Sequence, residues 1–490
     1  MKGRRFSIWL LITALFPLAF SCIRESDTDS LMPIVRKALY DTSSVYFGNF
    51  AKYPSALSQL PLGIIDCSVD GFSIVEKFLG MDNFDNITGA AAKDGIGDFA
   101  GEDFQIIADV ANGPFVGYER NANRAFLDER LVKDALFLMG NSHYNLSVDD
   151  FRSGVKDPVK LIVYACDYAD LKGTAVLNGF LEKTGTDVKA IGVLESGIRD
   201  MVGEFGKQEN VCVGILYPSY ALSAREYESK LRQMAEDAGF HGVLQVYNQE
   251  AVGLSGSIRN DPAYISSSAK GIRNDYAGPV LGVSYNNIDR SLLDRYRFNT
   301  DGNALLTGGK SGMQLNSVEN YVRYHLVSMV ERHRRSGSRV PISSILLVDY
   351  RYEEVLPVME QVIVELYDYR RDGMYLYRNS ISKDFRFILP IESAASVAYT
   401  TLRQDRNLAL SGSKSELRPF ITWPSGGLSP EGIDSSGRLT DSFKYGRAAG
   451  TDEIFTKELP FAPRYVDAGT MAFIEKNNPL TYSLIRNTLY

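Results

Sequence analysis

The chain contains 490 residues with a formal net charge of -7, and 44% of its residues are hydrophobic. A chain of this length exceeds what one hydrophobic core usually serves, so we expect two or three α/β lobes. The acidic balance, without any basic block, argues against nucleic acid as a partner. Only four cysteines occur, which excludes a fold built on a disulfide framework.

Residues 1–21 predict a signal peptide. Three basic residues precede an apolar run, residues 6–20, which is too short to span a bilayer comfortably. Residues 18–22 resemble the lipobox of bacterial lipoproteins, and this resemblance implies that Cys22 becomes the lipidated first residue of the mature chain. The alternative is an ordinary secretory signal in which Cys22 is incidental.

Residues 22–58 form a predicted tether and N-terminal extension. The acidic stretch after Cys22 has almost nothing to bury, which is typical of a flexible link between a lipid and a domain. We therefore expect a lipid-anchored protein of the cell envelope, in the periplasm or on the outer-membrane surface. The lipid on Cys22 would be its membrane contact, and envelope proteins are candidate partners.

Apolar runs that end in small or polar residues alternate with helix-like segments, which is the pattern of parallel α/β units. The clearest runs are 62–65, 104–108, 159–165, 190–194, 211–216, 242–246 and 342–348. Helices are predicted at 224–238, where apolar residues share one face, and at 318–335. Residues 253–312 are rich in Ser, Asn, Asp and Gly and lack periodicity, which predicts an insertion.

The four histidines are scattered and lack the spacing of metal ligands. They are His143, His241, His325 and His333. We therefore predict no metal site, and nothing in the sequence indicates a cofactor.

Four segments in chain order carry the residues on which the chemistry depends. They contain Asp66-Cys67 (residues 62–73), Gly113-Pro114-Phe115 (106–115), Cys166-Asp167-Tyr168 (161–169, followed by 191–197) and Asp349-Tyr350-Arg351 (345–352, followed by 356–359). Together they resemble the fingerprint of glutamate racemase and the wider aspartate/glutamate racemase superfamily. The resemblance covers most of residues 60–450.

The resemblance implies an α/β fold of two pseudo-symmetric, doubly wound lobes with parallel sheets. Residues 59–200 would form the first half, and residues 201–450 would form the second half with the insertion at about 253–312. Residues 451–490 would be a C-terminal extension.

The resemblance also implies a catalytic set of Cys166, Asp66 and Asp349. A racemase of this kind removes the α-proton from one face and returns it on the other, so it needs a general base and a general acid. Cys166 matches the first thiol and Asp66 the residue that supports it, but Asp349 stands where the second thiol is expected. An unperturbed Asp, with a pKa of about 3.9 against about 8.5 for Cys, is a weak base and is rarely protonated.

A ligand-binding shell follows from the same resemblance. Its members are Cys67, Pro114, Phe115, Asp167, Tyr168, Tyr350 and Arg351. The two tyrosines would shrink the pocket, Asp167 would favour a cationic group and Arg351 an anionic one. The implied ligand is a small carboxylate or amino-acid-like molecule. Cys67 and Cys166 should approach each other, which permits a disulfide in an oxidising envelope.

The missing second thiol is the main sequence evidence on whether this protein is a racemase. It favours a catalytically degenerate, non-racemising member of the superfamily that serves ligand binding or envelope assembly. The alternative is a one-thiol, cofactor-independent isomerase, racemase or decarboxylase that acts on a small amino or carboxylic acid through Cys166. Two purely structural interpretations stay open. Cys166 could be a buried core cysteine, and Asp349 and Arg351 could form a local ion pair.

Overall fold

Two β-sheets organise the protein in its computed structural model, which describes residues 31–489 except 146–149, 167, 207–208, 220–223, 285, 309–311, 410–413, 427 and 452–453. The predicted signal peptide, Cys22 and Asp167 therefore lie outside the described residues. Within the described residues, no helix is both long enough and apolar enough to cross a membrane.

The strands, in chain order, are β1 (Leu62–Asp66), β2 (Phe104–Ala108), β3 (Ser142–Asn145), β4 (Asp150–Val155), β5 (Leu161–Tyr164), β6 (Lys189–Gly192), β7 (Val211–Tyr217), β8 (Leu244–Glu250), β9 (Leu305–Gly308), β10 (Gly312–Leu315), β11 (Ile342–Leu347), β12 (Arg370–Arg371), β13 (Met374–Tyr375), β14 (Ile381–Ile388), β15 (Leu417–Pro424) and β16 (Thr456–Pro460).

The α-helices are α1 (Pro33–Tyr40), α2 (Phe72–Gly80), α3 (Val116–Arg120), α4 (Arg124–Met139), α5 (Thr174–Thr184), α6 (Val193–Gly203), α7 (Ala224–Asp237), α8 (Leu254–Ile258), α9 (Leu293–Tyr296), α10 (Val318–Ser336), α11 (Leu356–Tyr367), α12 (Pro390–Gln404), α13 (Asp441–Gly446), α14 (Ala468–Asn477) and α15 (Pro479–Leu489).

The first sheet has six strands in the order β16-β15-β2-β1-β5-β6. Its neighbouring strands are parallel except for β15 and β16. Strands β1, β2 and β5 are buried along their whole length, as expected when helices cover both faces of a parallel sheet. We call this sheet and the helices on it the first lobe.

The second sheet has four parallel strands in the order β14-β11-β7-β8, and we call it and its helices the second lobe. Its longest helix, α10, has clear sequence boundaries. The Ser317 hydroxyl accepts a hydrogen bond from the backbone N–H of Asn320 at the start. Gly337 ends the helix with a φ of 74°, a left-handed conformation that glycine adopts without strain.

Each of the seven predicted apolar runs overlaps a parallel strand, and both predicted helices are present, as α7 and α10. The predicted α/β class with parallel sheets is confirmed. One run, 190–194, ends early as a strand because Val193 begins α6. The carboxylate of Asp170 accepts hydrogen bonds from the backbone N–H groups of Leu194 and Glu195, and this capping starts the helix.

The predicted second half, residues 201–450, does not correspond to one sheet. Strand β15 pairs with β2, so that Leu417 lies opposite Phe104, and it therefore belongs to the first lobe. Strand β16, in the predicted extension 451–490, continues the same sheet. Local periodicity cannot reveal this division because the pairing joins residues more than 300 positions apart.

Part of the predicted N-terminal extension, helix α1, packs against the first lobe. Helix α1 buries Ile34, Val35 and Ala38 in the apolar core of the first lobe. The predicted insertion, 253–312, contains α8, α9 and β9 between irregular segments. Tyr321 on α10 holds it in place, because its hydroxyl donates to the carbonyl of Tyr264 at 3.1 Å.

Candidate functional site

Asp66 is the last residue of β1, at the carboxyl edge of the first sheet, and it is 2% exposed. Its carboxylate accepts hydrogen bonds from the hydroxyls of Tyr350 and Ser68, both at 3.3 Å. Burial raises the pKa of Asp66 to about 7, and the nearby charge of Asp70 adds to the shift. Asp66 can therefore gain or lose a proton near neutral pH.

Cys67 and Cys166 meet at the carboxyl ends of neighbouring strands. Cys67 follows β1, Cys166 lies just after β5, and these two strands pair in parallel. The two Sγ atoms are 2.8 Å apart and are not joined by a disulfide in this structure. The predicted approach of these two thiols is confirmed.

The position of Cys166 is set by the turn that follows it. The backbone N–H of Asp170 donates to the carbonyl of Cys166 at 2.9 Å. The Asp170 carboxylate then caps α6, as described above, so the first-lobe helix and the cysteine loop are tied together. Burial raises the pKa of Asp170 well above its ordinary value. Asp167, the predicted contact for a cationic group, lies outside the described residues.

The loop after β2 approaches the Cys67 side of the site. A Cβ atom at Gly113 would lie 2.2 Å from the carbonyl oxygen of Cys67, so only glycine fits there. Pro114 is exposed, and its carbonyl accepts a hydrogen bond from the hydroxyl of Tyr445 at 3.1 Å. Phe115 is fully buried in the apolar core. Of this predicted pair, only Pro114 is at the surface.

Asp349, after β11, is held in a buried ion pair with Arg351. The guanidinium donates from Nε to one carboxylate oxygen at 2.8 Å and from Nη2 to the other at 2.9 Å. The hydroxyl of Ser255 donates to the second oxygen at 2.5 Å. Asp349 is 4% exposed and Arg351 is 7% exposed. This is the bidentate geometry in which an Arg–carboxylate pair is strongest.

Three residues of this site did not follow from the sequence motifs. Asp70 lies 3.3 Å from Arg351 and 3.4 Å from Arg259, and so joins the first lobe to the second. Ser255 and Arg259 belong to the predicted insertion, where the sequence has no periodicity. For Asp70 the sequence did contain a signal, the short spacing from Asp66, which places two carboxylates in the same loop.

The two predicted tyrosines are placed differently from each other. Tyr350 packs against the apolar core of the first lobe and donates its hydroxyl to Asp66 across the boundary between the lobes. Tyr168 is 1% exposed, with its ring in the core, and its hydroxyl donates to Glu119. Tyr168 is therefore a packed core residue, whereas Tyr350 stands between the two lobes.

A cavity of about 210 Å³ lies at the carboxyl ends of β7, β8 and β11. Ser255, Arg259, Asp261 and Arg351 line it together with apolar and small residues. This position, beyond the carboxyl ends of parallel strands, is where ligands of open α/β sheets bind. The cavity is smaller than the roughly 300–1,000 Å³ of drug-sized pockets, so it fits only a small molecule.

No group of three or more His, Cys, Asp and Glu side chains in the described part of the chain is arranged to hold a metal ion. His325 and His333, both on α10, are buried and contact the carbonyls of Val252 and Val340. Their contacts are those of core histidines.

Fold and site together define an α/β protein of two parallel-sheet lobes, with a thiol pair and a buried Asp–Arg ion pair at the carboxyl ends of its strands. Among solved structures, this chain is similar to glutamate racemases, the enzymes that its four sequence segments resemble. An isoform from Bacillus anthracis is 14% identical, with 74% of this chain and 89% of that chain covered at a TM-score of 0.39.

Two further solved structures show the same degree of similarity. The Francisella tularensis glutamate racemase in complex with D-glutamate is 12% identical over 80% of this chain and 96% of its own, with a TM-score of 0.37. The Thermus thermophilus enzyme is 13% identical over 76% and 90%, with a TM-score of 0.34. No family model and no curated protein matches the chain. Similarities of this size do not indicate an activity or a ligand for this chain.

Proposed function

We propose that this protein is a lipid-anchored envelope protein with a glutamate racemase-like fold, that it does not racemise amino acids, and that it binds a small carboxylate or amino-acid-like ligand. The ion pair of Asp349 and Arg351 supports the central part of this proposal, that the protein does not racemise amino acids. Racemisation needs an acid and a base on opposite faces of one carbon. Cys166 could serve one face, but the group at the second position is bound by a guanidinium.

Asp349 is a poor proton carrier in this setting. Both of its oxygens accept hydrogen bonds from Arg351, and the hydroxyl of Ser255 adds a third side-chain hydrogen bond. A proton on Asp349 would disrupt a charge-assisted, bidentate pair and leave the cation of Arg351 buried without its main partner. The free-energy cost of proton transfer is therefore higher at Asp349 than at an ordinary thiol.

The mature protein should not exchange the α-proton of L- or D-glutamate, or of aspartate, with deuterated water above the background rate. Loss of one positioned acid or base removes roughly 10²- to 10⁴-fold in rate. Proton NMR of the amino acids, incubated with the protein in deuterated buffer, measures the exchange. Asp349→Cys alone should not restore it, because Arg351 and Tyr350 still occupy the second position.

The alternative function is a one-thiol isomerase or decarboxylase that works through Cys166. It is favoured by Asp66, whose pKa of about 7 suits acid and base work near neutral pH. The same NMR experiment separates the two functions. Exchange that disappears in Cys166→Ala would contradict the degenerate function and support the one-thiol enzyme.

The cavity beside Arg351 is our proposed ligand site. Asp349 already matches the charge of Arg351, so Arg259, with 40% of its side chain exposed, is the cation best placed to meet a ligand carboxylate. Its contact with Asp70 is long, at 3.4 Å. Asp261, which also lines the cavity, offers a carboxylate to an amine. One charge of each sign suits an amino-acid-like zwitterion.

Glutamate added to the folded protein should shift NMR or calorimetric signals in a saturable way, and Arg259→Met should weaken this binding about tenfold or more. The physical reason is that a hydrogen bond to a charged group contributes about 1.5–3 kcal/mol. Arg199→Met is the matched control, because Arg199 is exposed and its ion pair among the described residues is with Glu195 on the same helix. Equal affinity in both variants would place the ligand elsewhere, and no binding would remove the ligand from the proposal.

The lipid anchor rests on residues 18–22 of the sequence. If Cys22 carries the lipid, radiolabelled palmitate should be incorporated by the full chain in a bacterial host and not by Cys22→Ser. Equal labelling of the two chains would contradict the anchor and favour an ordinary secretory signal.

A further inference from the structure

We propose that Cys67 and Cys166 form a dithiol site that cycles through an internal disulfide by exchange with thiols and disulfides, with Cys67 as the attacking thiol and Cys166 as the resolving one. This goes beyond ligand binding and does not depend on it. The proposal rests on where the two sulfurs lie, how far each is exposed and how the third described cysteine differs from them.

The geometry brings the two sulfurs together through the backbone. Strands β1 and β5 pair in register, with Ile65 opposite Tyr164, and each cysteine lies within two residues of its strand's end. The Sγ atoms are 2.8 Å apart, whereas a disulfide bond is about 2.05 Å long. Closing the bond therefore shortens the Sγ–Sγ distance by less than about one ångström.

The exposure of the two thiols assigns their roles. Cys67 is partly exposed, so a small disulfide in solution can reach it. Cys166 is 4% exposed and its sulfur lies beside that of Cys67, so a disulfide in solution reaches Cys67 first. Reactive cysteines are partly exposed, whereas buried structural ones are inert. One accessible and one buried thiol in contact is the arrangement that resolves a mixed disulfide internally.

Cys212 provides the contrast within the same chain. It lies on β7 in the core of the second lobe, is fully buried and has its pKa raised to about 12 by burial. It is therefore an inert thiol, as expected for a small core residue. Among the three described cysteines, reactivity should be confined to the pair at the first-lobe strand ends.

The exchange is a two-electron reaction in two steps. The thiolate of Cys67 attacks one sulfur of a disulfide RSSR, forms the mixed disulfide Cys67–S–SR and releases RS⁻, which takes up a proton. The thiolate of Cys166 then attacks the Cys67 sulfur and expels the second RS⁻, which is also protonated. The protein pair is oxidised to one disulfide, and RSSR is reduced to two RSH. Excess thiol reverses both steps.

The test uses the full-length protein and oxidised glutathione as the disulfide. After incubation, acid quenching, alkylation under denaturing conditions and proteolysis, mass spectrometry should find one linked peptide pair that contains Cys67 and Cys166. Cys212 should be alkylated, and dithiothreitol added before the quench should return both partners to the alkylated form. Circular dichroism confirms that the protein stays folded during the incubation.

Two conservative variants separate the roles. Cys67→Ser should lose the cross-link completely and leave Cys166 unmodified by glutathione, whereas Cys166→Ser should accumulate a stable mixed disulfide on Cys67. Wild-type protein in which both cysteines remain alkylatable after the incubation would overturn the proposal. Glutathione on Cys212 rather than on Cys67 in Cys166→Ser would do the same. If either variant does not fold, the wild-type peptide map and its reversal by dithiothreitol still decide the question.

Discussion

Arg351→Met should lower the free energy of unfolding by about 3–5 kcal/mol, since removal of one partner of a buried ion pair leaves an uncompensated buried charge. Asp349 would keep the hydroxyl of Ser255 and the backbone N–H of residue 351 but lose both guanidinium contacts. Asp70 would lose one of its two cations, and with it a contact between the lobes. Urea denaturation followed by circular dichroism measures the change.

Two controls make this prediction specific. Arg199→Met removes an exposed pair within one helix, and such pairs are worth about 0–1 kcal/mol. In the double variant Asp349→Asn with Arg351→Met, the asparagine can still accept from the backbone and from Ser255 without carrying a charge. We expect this double variant to recover part of the lost stability. A loss in Arg351→Met no larger than that in Arg199→Met would show that the ion pair does not stabilise the fold.

Asp66→Asn should stabilise the protein increasingly as the pH rises from about 4 to about 7, and by a constant amount above that. The pKa of Asp66 is raised from 3.8 in the unfolded chain to about 7 in the folded protein. Between these values the folded state binds more protons than the unfolded state, so stability falls as the pH rises. The variant lacks this titration. The full difference is on the order of 4 kcal/mol at pH 8.

The comparison of wild type with variant isolates Asp66 from other buried carboxyls. Burial also raises the pKa values of Asp134 and Asp170, so the wild-type stability alone would mix several titrations. Asparagine can still accept from the hydroxyl of Tyr350, which keeps the packing similar. The measurement is the midpoint of urea denaturation at pH 4, 5.5, 7 and 8. A difference between the two proteins that does not change with pH would mean that Asp66 is ionised in the folded state throughout.

The sequence by itself determined the fold class and the positions of most first- and second-lobe strands. Buried parallel strands are short, continuous apolar runs followed by helices, so the seven runs from Leu62 to Val348 could be recognised locally. It also predicted that Cys67 and Cys166 would meet, because the resemblance places both at strand ends facing one site. These inferences succeed because periodicity and strand-end position are properties of short segments.

Only the tertiary structure decided which strands share a sheet and which charges pair. Strand β15 joins the first sheet beside β2, although it follows the second lobe in sequence. Ser255, which comes from an aperiodic segment, donates its hydroxyl to the Asp349 carboxylate that Arg351 also binds, and no sequence pattern indicated this contact. Tyr168 packs in the core, and Glu119, 49 positions earlier in the chain, accepts from its hydroxyl. Such pairings depend on distances between segments that are remote in sequence, and no local pattern encodes them.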